Sequence, residues 1–249
     1  MPELSGNELH LTAALRRWFT QQSAHNGVLP ALKEFFRILW QFLLDSLPSR
    51  RRQRYGDVDY DWDHRVDTTS ATVGWRNRLL GLLNSPYQPT DPALFQEMLA
   101  SLSIDFRNFT FIDIGSGKGR TLLMASDYPF RRIIGIELLP ELHRVAEENI
   151  RKYKSDSQRC LAIESICADA RKFVFPPEPT LIYLFNPLPE PGLMQVISDL
   201  EHSSQEHPRA IFVLYHNPVL EHVLAESKQL TKIAGTTQYS VFSSSKADL

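Results

Sequence analysis

What the sequence has little of narrows the field first. Only two of its 249 residues are cysteine, Cys160 and Cys167. They have neither the paired spacing of a zinc site nor the number that a disulfide framework needs. Neither sign of charge prevails: 27 basic residues stand against 29 acidic ones, so no chain-wide field selects nucleic acid or membrane. Long apolar runs are missing too. The most lipophilic stretch, Ile38 to Leu44, is far shorter than the ~20 residues that span a bilayer. Glu3 and Glu8 precede the first basic residue, with no long apolar core behind them, which argues against a secretory leader. A cytoplasmic protein without stable membrane insertion is expected. Internal repeats and low-complexity tracts are lacking as well, which argues against a solenoid.

What is present is ordinary in bulk and specific in detail. With 43% hydrophobic and 22% charged residues, the chain can form one large domain, or one domain with an extension. Residues 7–22 and 28–45 read as amphipathic helices. In the second, Leu32, Phe35, Phe36, Leu39, Trp40 and Leu43 recur at helical spacing, as for a helix packed on a core or, alternatively, laid on a membrane surface or a partner. Then comes SRRRQRYGDVDYDWDHRVDTT. Four arginines, Arg50, Arg51, Arg52 and Arg54, precede Asp57, Asp59, Asp61 and Asp63, which alternate with Val58, Tyr60 and Trp62. A period of two puts carboxylates on one face of an extended segment and rings on the other. A calcium loop is excluded: its glycine position holds Trp62 and its closing glutamate position Thr68. Two readings stay open for residues 46–72, a solvated linker or a lid whose acids and rings suit a cationic group.

From about Pro86 the pattern becomes alternating strand and helix, the signature of a mostly parallel α/β sheet. Asp91-Pro92 is a cap followed by a first-turn proline and opens a helix to about Leu102. Strands are predicted over Phe109–Ile114, Arg132–Glu137, Cys160–Cys167, Leu181–Phe185 and Ala210–Tyr215. Helices are predicted between them, at about 118–127, 140–153, 190–205 and 218–226. LTKIAGTTQYSVFS adds two strands around Gly235, making seven. Residues 86–249 are therefore expected to form a doubly wound, seven-stranded α/β domain, with residues 1–85 as an N-terminal helical extension and linker.

The stretch FIDIGSGKGR, Phe111 to Arg120, decides among ligands. A dinucleotide fingerprint requires a glycine where Arg120 stands, and the third glycine falls one residue early, at Gly119. A phosphate-binding loop of the G-K-[ST] kind is lacking as well. Asp113 closes the strand, and a carboxylate there repels pyrophosphate but attracts an ammonium or accepts from a hydroxyl. Glu137 ends the second strand, where an acid can accept from both ribose hydroxyls. Asp169 lies just past the third, placed to accept from an adenine amino group. Taken singly, these acids also read as a turn aspartate, an exposed strand-end acid and a helix cap.

These residues carry a resemblance. DIGSGKGR, GIEL and ADA resemble the glycine motif, second-strand acid and adenine-side acid of class I, seven-stranded S-adenosyl-L-methionine-dependent methyltransferases. SPYQPTDPALF is similar to bacterial members without an assigned substrate and, more distantly, to the seven-stranded protein-lysine methyltransferases. The resemblance covers about two thirds of the chain. It implies an S-adenosyl-L-methionine site built from Tyr87, Thr90, Asp113, Gly115, Ser116, Gly117, Gly119, Glu137, Leu138, Ala168, Asp169 and Asn186.

On the acceptor side, IYLFNPLPE places Asn186-Pro187 at the fourth strand's tip. This resembles the Asn/Asp-Pro-Pro-aromatic motif of amino-methylating enzymes, with Leu188 and Pro189 replacing its last two residues. The implied acceptor is an amine on a protein or a small molecule. Asn186 and Tyr183 are the candidate catalytic residues, with Tyr215 and His216 nearby. No metal is implied. The alternatives are a nicotinamide-dependent oxidoreductase, a non-catalytic cofactor-binding scaffold, or, from RRRQR alone, a nucleic-acid substrate.

Overall fold

The chain divides into two units, one of residues 57–70 and 88–249, the other of residues 1–56 and 71–87. The computed structural model describes residues 58–69 and 89–244, with isolated helical positions between 16 and 37. The helices expected over 7–22 and 28–45 thus lie largely outside the described residues, as do Tyr87 and the basic cluster.

In the first unit, seven strands form one sheet: β1 (Thr110–Ile114), β2 (Arg132–Glu137), β3 (Ile163–Cys167), β4 (Thr180–Leu184), β5 (Ile211–His216), β6 (Leu230–Gly235) and β7 (Tyr239–Ser244). The order across the sheet is β3-β2-β1-β4-β5-β7-β6. β1 to β5 run parallel, while β7 is antiparallel to both β5 and β6. The expected fold class, a doubly wound seven-stranded mostly parallel sheet, is the one present.

The central strands are largely apolar because helices cover both faces. β1, β4 and β5 are buried at every position. Phe111, Leu181 and Leu214 share one face with Phe95, Met98 and Leu99 of α2 (Pro92–Ala100). Ile112, Ile182 and Val213 share the other with Leu193, Val196, Ile197 and Leu200 of α5 (Glu190–Glu206). α2 starts as its sequence dictates. The side chain of Asp91 accepts from Leu94 N–H at 2.9 Å, and Pro92 fills the first turn. Between β1 and β2 lies α3 (Arg120–Ala125), and between β2 and β3 lies α4 (Pro140–Lys152). α6 (Glu221–Ala225) follows β5.

The acidic and aromatic stretch departs from its expected form. Val58–His64 is a helix, α1, and belongs to the same unit as the sheet. Tertiary packing overrides the period of two. Helical spacing brings Tyr60 and His64 together, their rings stacked 4.3 Å apart, and His64 stacks in turn on Tyr153 at 5.3 Å. Trp62 is left 82% exposed. The helix ends with Arg65 at a φ of 54° and Val66 N–H donating to Asp61 C=O at 3.0 Å, a left-handed cap of the Schellman type.

Candidate functional site

Strand order reverses between β1 and β4, and in open α/β sheets that switch point opens a crevice at the carboxyl ends of the strands. The loop after β1, Gly115 to Gly119, borders it on one side and Asn186-Pro187 after β4 on the other. The two touch. A Cβ on Gly115, at a φ of 81°, would lie 2.6 Å from Pro187 Cβ, so this position admits only glycine. Gly117 and Gly119 also have positive φ, 55° and 84°. Gly119 N–H donates to Ser116 C=O at 2.8 Å, closing the loop on itself.

Glu137, at the end of β2, is 6% exposed. Its Oε2 accepts from Gly117 N–H and its Oε1 from Leu139 N–H, each at 2.8 Å. Burial pushes its carboxyl upward, while the backbone donors, Leu139 first and then Gly117, oppose that shift. Ala168 N–H donates to Glu137 C=O at 3.0 Å, bringing the end of β3 alongside. Leu138 is 43% exposed on the same edge. Asp113 is 3% exposed, and its Oδ2 accepts from the Thr121 hydroxyl. Burial raises its carboxyl to about 7, against the pull of that hydroxyl and with the added repulsion of Glu137. Asp113 therefore lies beneath the loop rather than at its open rim.

The cap reading of Asp169 is the one the geometry displays. It accepts from Arg171 N–H at 3.0 Å and pairs with the same residue's guanidinium at 2.5 Å. That pairing holds its carboxyl below the usual range.

Tyr183, a candidate catalytic residue by sequence, lies within the fold. Tyr183 is 1% exposed. Its hydroxyl lies 2.7 Å from Thr90 Oγ1 and 2.8 Å from His216 Nδ1. Burial drives the phenol well up and the imidazole down to about 4, the latter opposed by Asp91. The result is a neutral chain of three side chains that ties the approach to α2 to β4 and β5. Asn186 sits at the rim with a φ of 45°, its amide fixed on both sides. Oδ1 accepts from Tyr215 Oη at 2.8 Å, and Nδ2 donates to Asn217 C=O at 2.7 Å. Asn217 too has positive φ, 48°. Left-handed non-glycine residues at two adjacent strand tips mark a place where backbone strain is retained, as at many working sites.

Several residues that shape the site were not singled out from the sequence. Lys118 Nζ donates to Asp67 at 2.8 Å and to Thr69 C=O at 2.7 Å. Arg120 donates to Thr68 Oγ1 at 2.7 Å, pairs with Asp61 at 3.2 Å and lies over the Tyr60 ring at 4.6 Å. Asn149 accepts from Asp67 N–H at 2.9 Å and donates to Asp67 C=O and Lys118 C=O at 2.8 and 3.0 Å. The signal for Asn149 was legible, since it continues the apolar stripe of Leu142 and Ala146 on α4. Gly135 is the other omission: a Cβ there would meet Leu122 Cδ1 at 2.6 Å and Ser116 Oγ at 2.7 Å. Among the described residues, Ser116 Oγ is buried without a hydrogen-bond partner, and no cluster of His, Cys, Asp and Glu could hold a metal ion. No described helix is long and apolar enough to cross a membrane.

No family model matches this chain, and no curated protein sequence does. Among solved structures it is similar to the ribosomal protein L11 methylase from Lactobacillus delbrueckii subsp. bulgaricus, at 15% identity and a TM-score of 0.40 over 61% of this chain and 74% of that one. A predicted N6-adenine-specific DNA methylase from Listeria monocytogenes gives 14% identity and a TM-score of 0.46, over 63% of this chain and 51% of that one. A precorrin-6y C5,15-methyltransferase from Geobacter metallireducens gives 13% and 0.43, over 61% of this chain and 87% of that one.

Proposed function

We propose that this chain is an S-adenosyl-L-methionine-dependent methyltransferase whose cofactor lies across the crevice between β1 and β4. One observation carries the reading: the charge around the glycine loop. Its two cations, Lys118 and Arg120, are held by Asp67 and Asp61, while the carboxylates of Asp113 and Glu137 lie beneath it. A pyrophosphate would meet two acids there and two cations already engaged. A ligand made of an amino acid, a ribose and an adenine meets no such repulsion. This disfavours the nicotinamide alternative.

The residues present suit that ligand. Gly115 leaves room where any side chain would strike Pro187, and the buried hydroxyl of Ser116 supplies a polar atom without a partner among the described residues. Glu137 retains lone pairs for ribose hydroxyls beyond those taken by Gly117 and Leu139. Asp113, ionised opposite an ammonium, anchors the amino-acid end, with Gly117 and Gly119 alongside. Leu138, Ala168 and Asp169 border the adenine. Thr90, locked to Tyr183, flanks the other side. When bound, S-adenosylmethionine supplies a methyl group already activated by its sulfonium, so the protein's task is in-line positioning. Asn186, rigid on Tyr215 and Asn217, offers the remaining lone pair of Oδ1 to the N–H of an amine acceptor, on a protein or a small molecule.

Calorimetry with S-adenosylhomocysteine and NAD tests the cofactor, with binding of the first alone expected. Binding of NAD alone would overturn the reading. Tritiated methyl transfer into a lysate, separated into protein, nucleic-acid and small-molecule fractions, then identifies the acceptor. Label confined to nucleic acid would refute the amine reading, and binding without any transfer would favour a scaffold.

A further inference from the structure

The segment from Asp61 to Thr69 makes a set of contacts with the glycine loop that the cofactor reading does not use. Asp61 alone binds the backbone N–H groups of Thr68 and Thr69, at 2.7 and 2.9 Å, the Thr68 hydroxyl and the Arg120 guanidinium. Asp67 and the Thr69 carbonyl hold Lys118, and Asn149 sits between Asp67 and the Lys118 carbonyl, bound to both. The aliphatic stems and charged heads of Lys118 and Arg120 are both buried, at 1% and 2% exposure. Two cations in a loop of glycines would ordinarily make it attractive to anions. Here each is matched by a carboxylate from a segment 51 to 59 residues earlier in the chain.

We propose that residues 61–69 form a clasp that fixes the shape of the glycine loop and sets its ligand charge. Asp61 and Asp67 are positioning residues that hold Arg120 and Lys118, so that the loop rejects phosphate-bearing nucleotides. The rejection of phosphate deepens the cofactor reading above and rests on it, whereas the fixing of the loop does not. The physical basis is that a buried cation that loses a carboxylate partner is drawn more strongly to another anion or to a new position. Either change loosens the loop, and the first also creates affinity for phosphate.

The test uses the full chain with Asp61→Asn and, because Arg120 is deeply buried, Asp67→Asn as the gentler variant. Asp67 is 43% exposed at its side chain, and its bonds to Asn149 run through its backbone, so this variant keeps its fold, as circular dichroism will register. Amide hydrogen exchange at Gly117 and Gly119 should quicken at least tenfold. ADP, the phosphate probe, should bind at least tenfold more tightly than to the wild type and weaken as salt is raised. S-adenosylhomocysteine should bind at least fivefold more weakly. A folded Asp67→Asn variant with unchanged loop exchange and ADP affinity within twofold of wild type would overturn the clasp. Failure of the wild type to bind S-adenosylhomocysteine would instead strike the cofactor reading, and loop exchange would still decide whether the clasp exists.

Discussion

Two pairs of carboxylates border the glycine loop, and they are satisfied in opposite ways. Asp61 and Asp67, behind it, are matched to Arg120 and Lys118. Asp113 and Glu137, beneath it, are held by a threonine hydroxyl and by backbone N–H groups, and they repel each other. Paired charge behind the loop makes it rigid; acids held only by neutral donors beneath it leave negative potential for a ligand. Each pair should therefore respond to mutation in its own currency, stability for the first and binding or pH dependence for the second.

The largest effect should come from breaking the rear pair. Asp61→Ala removes the ion pair with buried Arg120 and the acceptor for two backbone N–H groups. Chemical denaturation should register a loss of about 3 kcal/mol, the low end for breaking a buried ion pair. A loss below about 1 kcal/mol would mean that the pair behaves as a surface contact.

Glu137 should cost binding more than stability. Glu137→Ala removes the acceptor for Gly117 and Leu139 N–H and, by the proposed function, for the ribose hydroxyls. Affinity for S-adenosylhomocysteine should fall by about 2–4 kcal/mol in calorimetry. Glu137→Gln should lose less, since one amide oxygen still accepts. Equal affinity of the wild type for a 2′,3′-dideoxy analogue would remove Glu137 from that role.

These contrasts also mark what the sequence could disclose. The sheet was legible because the largely apolar β1, β4 and β5 alternate with helical segments, and Asp113 and Glu137 because each stands at the end of an apolar strand. Less legible was the state of Tyr183. Its position at a strand end suggested access to a ligand, but pleat alternation turns it to the buried face shared with Phe111. The acids of α1 misled in the opposite sense. Their period of two is a local signal, and the packing of His64 on Tyr153 and of Arg120 over Tyr60 is a nonlocal one that prevails. The pairing of GKGR with Asp67 and Asp61 spans 51 and 59 residues, and no periodicity encodes it.

A pH experiment sets Asp113 of the second pair against the buried His216. Asp113 is raised to about 7 by burial, above its unfolded value, so its contribution is fully present at low pH and lost as pH rises through 7. His216 is depressed to about 4, below its unfolded value near 6.5. Its contribution is present above 6.5 and lost as pH falls through 4. Between about 4 and 6.5 the two slopes oppose. Asp113→Asn should therefore make stability fall more steeply on acidification, and His216→Phe should make it rise relative to the wild type. Matching pH profiles for all three proteins would show that neither shift is real.

The smallest effect belongs to Asp169, whose carboxylate is satisfied by a cation as Asp61 is, but near solvent. Asp169→Asn keeps the cap on Ala170–Lys172, because an asparagine oxygen still accepts from Arg171 N–H. It loses the ion pair with Arg171, whose side chain is 48% exposed, and exposed pairs contribute only about 0–1 kcal/mol. Asp169→Ala loses the cap as well and should cost about 1 kcal/mol more. If Asp169 also accepts from the adenine amino group, both substitutions should weaken S-adenosylhomocysteine, the alanine more than the asparagine, which keeps one acceptor oxygen. If Asp169 is a cap alone, the asparagine variant should bind as the wild type does. The affinity of the asparagine variant thus separates ligand contact from capping without reference to stability.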